Sequence, residues 1–171
     1  MNKIIVALLA TLIVSNVGAV EGGYNLVGLG ITPLTDKSNT TYGLGVSLGG
    51  GYNFTQYFGI EAQIGVHGIG SNTNISVYPL PAITFNGYFP VNERASLYGK
   101  IGKSLTSVTV GSGGDQTNYS GFTNVYGLGA EFSLSGSKNT YRIGLDHYDL
   151  GFVNGSSLSA NYINLTSTTH F

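Results

Sequence analysis

The chain has 171 residues, including 27 Gly, 12 Tyr and 8 Phe, with no Cys and no Trp. Only 9% of them are charged, whereas an ordinary soluble domain carries about 25%. The net charge of −1 excludes a basic nucleic-acid binder, and the missing Cys excludes a disulfide framework, a thiol catalyst and a zinc–thiolate site.

The N-terminus reads as an export leader. Met1-Asn2-Lys3 supplies one positive charge, and Ile4 to Val14 is an apolar run broken only by Thr11. Val17 and Ala19 fit the small-residue cleavage pattern, so residues 1–19 are expected to be a signal peptide and residues 20–171 one domain. The run is too short to cross the roughly 30 Å hydrocarbon layer as a helix, and no basic flank follows it. Removal leaves 171 − 19 = 152 residues and takes away Lys3, giving 6 basic against 8 acidic residues, or −2.

Period-two alternation then dominates. Eight segments carry it in order: Tyr24–Thr32, Tyr42–Phe54, Phe58–Val66, Ile75–Phe89, Ala95–Val108, Phe122–Leu134, Tyr141–Tyr148 and Leu158–Phe171. In the third, Phe58, Ile60, Ala62, Ile64 and Val66 form one face; Gly59, Glu61, Gln63, Gly65 and His67 form the other. In the sixth, Tyr126, Leu128, Ala130, Phe132 and Leu134 oppose Gly127, Gly129, Glu131 and Ser133. The polar faces are mostly Gly and Ser with single charges, a poor coat against water and a good filling for a crowded interior. A soluble lipocalin-like barrel would want an apolar lumen and a charged exterior. The expected fold is therefore all-β: an eight-stranded antiparallel up-and-down transmembrane barrel, apolar side outward and framed by aromatic residues.

The connections alternate in length. Thr55-Gln56-Tyr57, Pro90–Arg94 and Ser135–Thr140 are short; Pro33–Thr41, Gly68–Asn74, Thr109–Gly121 and Asp149–Ser157 are longer and polar. With the N-terminus periplasmic, every longer loop falls outside, as is usual for such barrels. Pro79 and Pro81 cannot donate to a ladder, and a closed barrel has no edge, so both are expected near the outer rim where pairing lapses.

Several stretches together carry a family resemblance. They are Tyr57-Phe58-Gly59-Ile60-Glu61, Phe85-Asn86-Gly87-Tyr88-Phe89-Pro90-Val91, Leu97-Tyr98-Gly99-Lys100-Ile101-Gly102, Val125 to Phe132, Asp146 to Gly151, and the terminal Phe171. In this order the chain resembles the small outer-membrane β-barrel family of the outer-membrane protein A barrel-domain type, with its opacity-like porin relatives. The resemblance implies a barrel without a peptidoglycan-binding domain, in the outer membrane of a Gram-negative bacterium. It also implies outer-membrane lipids as surroundings, assembly by the barrel-insertion machinery with Phe171 as the terminal insertion signal, and a monomer. Ser167 and Thr169 depart from the usual apolar outward positions of that signal, and Asn86 stands where relatives often carry a basic residue.

By parity Glu61, Lys100, Glu131 and Arg142 all face inward, and Asp146 follows Arg142 on the same face. Buried charges need partners, and an eight-stranded interior is just filled by side chains. The four positions match the family's inward ion-pair cluster. They read as a plug that closes the lumen; a gate across a water path is the alternative, which would make the protein a small-solute channel. A third expectation is a surface adhesin or antigen that meets host or envelope molecules through its outer loops. Glu61 and Glu131 as a glycosidase pair would need a substrate cleft, and Lys100 and Arg142 leave no room for one. His67, His147 and His170 lie on different strands, without the spaced nucleophile of a hydrolase or the grouping of a metal site. No enzymatic activity, cofactor, metal or nucleic-acid partner is expected.

Overall fold

Strands rich in Gly, Tyr, Leu and Ile with one apolar face cannot stand alone in water or lipid; every backbone amide must find a ladder partner, and closure supplies it. In the computed structural model, which describes residues 20–36, 39–68, 75–110, 117–134, 138–153 and 156–171, eight strands do this. They are β1 (Gly22–Asp36), β2 (Asn39–Asn53), β3 (Phe58–Gly68), β4 (Ile75–Asn92), β5 (Ala95–Val110), β6 (Thr117–Ser133), β7 (Asn139–Val153) and β8 (Ser156–His170). Each pairs antiparallel with the next, and β8 returns to β1 from Tyr24↔His170 to Ile31↔Ile163, closing the barrel.

Facing follows the parity of the sequence. Leu44, Ile64, Phe85, Ile101, Leu128, Ile143 and Leu165 point out, with Leu128 66% exposed. Glu61, Thr84, Asn86, Lys100, Glu131, Arg142 and Asp146 are buried inside. A soluble protein would invert this arrangement. At the end of the barrel that carries the N-terminus, outward aromatic pairs form part of a girdle: Tyr52 with Phe54, Phe58 with Phe85, and Phe132 with Tyr141.

The strands run further outward than apolar alternation indicates. Pro33–Thr41 reads as a loop, yet β1 continues to Asp36 and β2 begins at Asn39, with Leu34↔Thr41 and Thr35↔Thr40 still in register. Likewise β5 reaches Val110, β6 starts at Thr117, β7 reaches Val153 and β8 starts at Ser156. The backbone ladder therefore continues past the point where the sequence stops alternating. Residues 69–74, most of the Gly68–Asn74 connection, lie outside the described residues, as does the leader, residues 1–19.

The prolines sit where the ladder slips. Pro79 pairs with Thr106, but the β4–β5 register jumps between Leu80 and Ala82, skipping Pro81, and the β3–β4 register jumps between Gln63 and His67. The bulge accommodates a residue with no amide hydrogen to give.

Outward facing has a direct test. Leu128→Arg places a charge against hydrocarbon and should lower the unfolding free energy by roughly 2–4 kcal/mol if it lies near the midplane. Leu44→Arg, nearer the outer rim, should cost less. Urea titration of the refolded barrel in lipid bilayers measures both.

Candidate functional site

The lumen is built by pairing long inward side chains with inward glycines. A Cβ at Gly129 would meet the Tyr98 ring at 2.8 Å, one at Gly144 would run into the Tyr98 hydroxyl, and one at Gly127 would meet the stem of Lys100 at 2.7 Å. A Cβ at Gly51 would likewise strike the phenol of Tyr24. The glycines are therefore the sockets in which the large polar side chains lie.

Arg142 on β7 stands at the centre. Its Nε donates to Glu131 Oε2 on the neighbouring β6, where the two residues are register partners. Its Nη1 reaches Glu61 Oε2 on β3 at 2.5 Å, and Nη2 donates to Tyr88 Oη on β4 at 2.9 Å. Three aromatic rings surround the guanidinium, with Cζ 5.0 Å from the Tyr24 centroid, 5.7 Å from Tyr88 and 5.6 Å from Tyr98. Such contacts are favourable for a desolvated guanidinium.

Glu61 joins the two halves of this web. Tyr24 Oη donates to its Oε2 at 2.9 Å, and Asn86 Nδ2 contributes a longer contact at 3.4 Å. Asn86 therefore supplies a neutral donor at the position where the family resemblance suggests a base. Lys100 Nζ lies 4.0 Å from Glu61 Oε1, but its closer partner is Asp146 Oδ2, at 2.9 Å. Asn164 Nδ2 also donates to Asp146 Oδ2, at 2.9 Å.

The structure thus brings Glu61, Lys100, Glu131 and Arg142 into one network, with Asp146 as an integral fifth member. Counting three carboxylates (Glu61, Glu131, Asp146) against two cations (Lys100, Arg142) gives a formal charge of −1 rather than the zero of the four positions alone. The tyrosines at inward parity (Tyr24, Tyr88, Tyr98) were the part that charge-pair reasoning missed. The signal for them lay in the same strands: inward Tyr faces inward Gly across the ladder, as in Tyr24↔Gly51 and Tyr98↔Gly129.

Above this layer Val125, Tyr148, Ala160 and Tyr162 pack as a buried cluster, and beyond it Thr106 and Thr123 hydrogen-bond to each other at 2.9 Å. Two small cavities flank the Arg142–Glu131 contact. One of about 10 Å³ touches Glu61, Lys100, Arg142 and Asp146; one of about 20 Å³ opens toward the periplasm beside Glu131, Ser96 and Thr140. Each is about the size that holds a single water. Among the described residues no group of His, Asp and Glu is arranged to hold a metal ion. His147 faces outward, its Nδ1 2.9 Å from Asn161 Oδ1, whereas His170 is buried near the periplasmic end against Tyr24. The side chain of His67 lies outside the described residues. Phe171 packs beside Gly23, to whose carbonyl its amide donates at 3.1 Å.

Apolar exterior, polar interior and closed ladder define a transmembrane β-barrel. A family model described as outer membrane protein beta-barrel domain matches residues 4–171, so the chain belongs to that family and resides in the outer membrane of a Gram-negative bacterium. No curated protein matches it in sequence. Among solved structures it is similar to neisserial surface protein A, at 13% identity and a TM-score of 0.74, covering 88% of this chain and 98% of that one. It is also similar to the N-terminal barrel domain of Pseudomonas aeruginosa OprF, at 12% identity, TM-score 0.60 and coverages of 88% and 98%. A third is Ail, the attachment invasion locus protein of Yersinia pestis, in complex with the heparin analogue sucrose octasulfate: 18% identity, TM-score 0.61, 89% of this chain and 100% of that one. At these identities the likeness is one of fold.

Two measurements follow from the packing. Arg142→Ala takes from Glu131 its partner in the network and from Glu61 its closest one, and should cost roughly 3–5 kcal/mol of stability, less if water enters. Lys138→Ala, at an exposed position, should change little in the same urea titration. Gly144→Ala should be destabilising by about 1–3 kcal/mol through overpacking against Tyr98. Tyr98→Phe removes the clashing oxygen and should return part of that loss in the double variant.

Proposed function

We propose that this protein is a sealed outer-membrane barrel with a structural and surface role, in which the Arg142 network is a plug rather than a conducting gate. The observation that carries this reading is the enclosure of the Arg142 guanidinium: each of its three nitrogens donates a hydrogen bond, to Glu131, Glu61 and Tyr88, and three rings surround it. The cavities on either side amount to single-water spaces, and the packed Val125–Tyr148–Ala160–Tyr162 cluster fills lumen space above them. No catalytic role is assigned to any lumen residue. Residues 1–19 are removed on export, and Phe171, at the end of β8, is the element that the insertion machinery reads.

A channel remains the second reading, because the Arg142–Glu131 contact is what separates the two cavities. Conductance and stability measured on the same variants separate the readings. The wild-type barrel in planar bilayers should pass no resolvable single-channel current. Arg142→Ala should lose stability without gaining discrete openings, and Glu131→Gln with Arg142→Gln should recover part of the stability. Variants that refold as stably as wild type and carry larger currents would establish the gate instead.

A further inference from the structure

We infer that the α-ammonium exposed on Val20 by removal of the leader is a working part of the barrel, capping its periplasmic mouth and offsetting the lumen's surplus negative charge through Glu131. The inference rests on the reading that the leader is cleaved after Ala19. Hydrolysis of the Ala19–Val20 amide by water leaves a carboxylate on the leader and an amine on Val20, which takes up a proton. An α-amine has an ordinary pKa of about 7.7–8.0, so it is largely cationic at pH 7.

Three observations bring that charge to the mouth. First, Gly22 has a φ of 112°, a left-handed conformation suited to Gly, where the chain turns just before the register of β1 and β2 begins at Gly22↔Asn53. Second, Asn53, buried at the end of β2, donates from Nδ2 to the Val20 carbonyl at 2.8 Å, fixing the residue by its backbone. Third, Val20 also lines the periplasmic cavity of about 20 Å³, whose other walls include Ser96 of β5, Glu131 of β6 and Thr140 of β7. The segment therefore reaches from the β2 side of the opening to the β5–β7 side.

Charge complementarity selects the partner. The five-membered network carries three carboxylates and two cations. Glu131 gives Oε2 to Arg142 and is the network carboxylate that also faces this cavity, so its other oxygen is the one assigned to the Val20 ammonium. Arg94 and Glu93 line the same cavity from the turn before β5, but both are exposed and neither forms an ion pair among the described residues. With the ammonium in place the five-membered network and the Val20 amine together sum to zero. In the unprocessed chain that nitrogen is a neutral amide, so processing completes the plug.

The test compares the barrel that begins at Val20 with the same barrel acetylated selectively at its α-amine near neutral pH, the site verified by peptide mapping. Acetylation should lower the folded/unfolded ratio about 5–30-fold in urea titrations, the size of a one to two kcal/mol loss. Glu131→Gln should abolish most of that response, whereas Arg94→Gln should retain it. If Glu131→Gln does not refold, acetylation rates on the wild type decide: the α-amine of the folded barrel should react about tenfold more slowly than in the urea-unfolded chain, as a one-unit rise in its pKa requires. Equal urea midpoints for free and acetylated barrels, an equal loss in Glu131→Gln, or equal reaction rates would overturn the pairing. The intact mass of the secreted protein tests the cleavage separately: any N-terminus other than Val20 would overturn the processing reading itself.

Discussion

A guanidinium cannot be left bare inside a barrel. Removing it from water costs several kcal/mol, which only opposite charge, hydrogen bonds and aromatic faces can offset. Arg142 is buried at the level where five strands contribute those partners: Glu131 from β6, Glu61 from β3, Tyr88 from β4, Tyr24 from β1 and Tyr98 from β5. Much of the lumen follows from this single requirement. Glu61 must reach across from β3, which places it within 4.0 Å of Lys100 on β5; Lys100 in turn draws Asp146 from β7. The web therefore ties together strands far apart in sequence, and the barrel's polar core resists being opened at one point without exposing the rest.

Space for that web comes from glycine. Twenty-seven Gly in 171 residues would weaken an ordinary sheet. Here inward Gly at 51, 127, 129 and 144 give way to Tyr24, Lys100 and Tyr98. Among the described residues, close packing of this kind leaves cavities of about 10 and 20 Å³ beside the network. The low count of charged residues has the same origin: the outer wall meets lipid and needs none, while the interior can hold only those it can pair.

Much of this was legible from alternation. Period two in segments such as Phe58–Val66 and Tyr126–Leu134 assigned each residue to lipid or lumen, and the strand count and order follow in the closed sheet. Glu61, Lys100, Glu131 and Arg142 could be placed inward by the same parity. Which acid meets which base could not, because barrel tilt sets the partners across the lumen and one strand's parity says nothing about height on another. Hence Lys100 takes Asp146 as its near partner, and that the inward tyrosines gather around Arg142 emerges only in three dimensions. The outer strand ends were hidden for a different reason. The sequence pattern breaks at Pro33, although the backbones of Leu34–Asp36 and Asn39–Thr41 stay in register.

The chain contains two arginines, Arg94 in an exposed turn and Arg142 in the lumen, which makes the central claim directly measurable. Solvent exchange of the two Nε–H protons can be followed by NMR on the barrel in lipid nanodiscs, with Arg94 as the internal reference. An enclosed Arg142 whose Nε–H is held by Glu131 predicts one Nε–H signal exchanging at the rate of a free arginine and a second protected from exchange. Two signals exchanging at the same fast rate would contradict the sealed plug and place Arg142 in contact with a continuous water path.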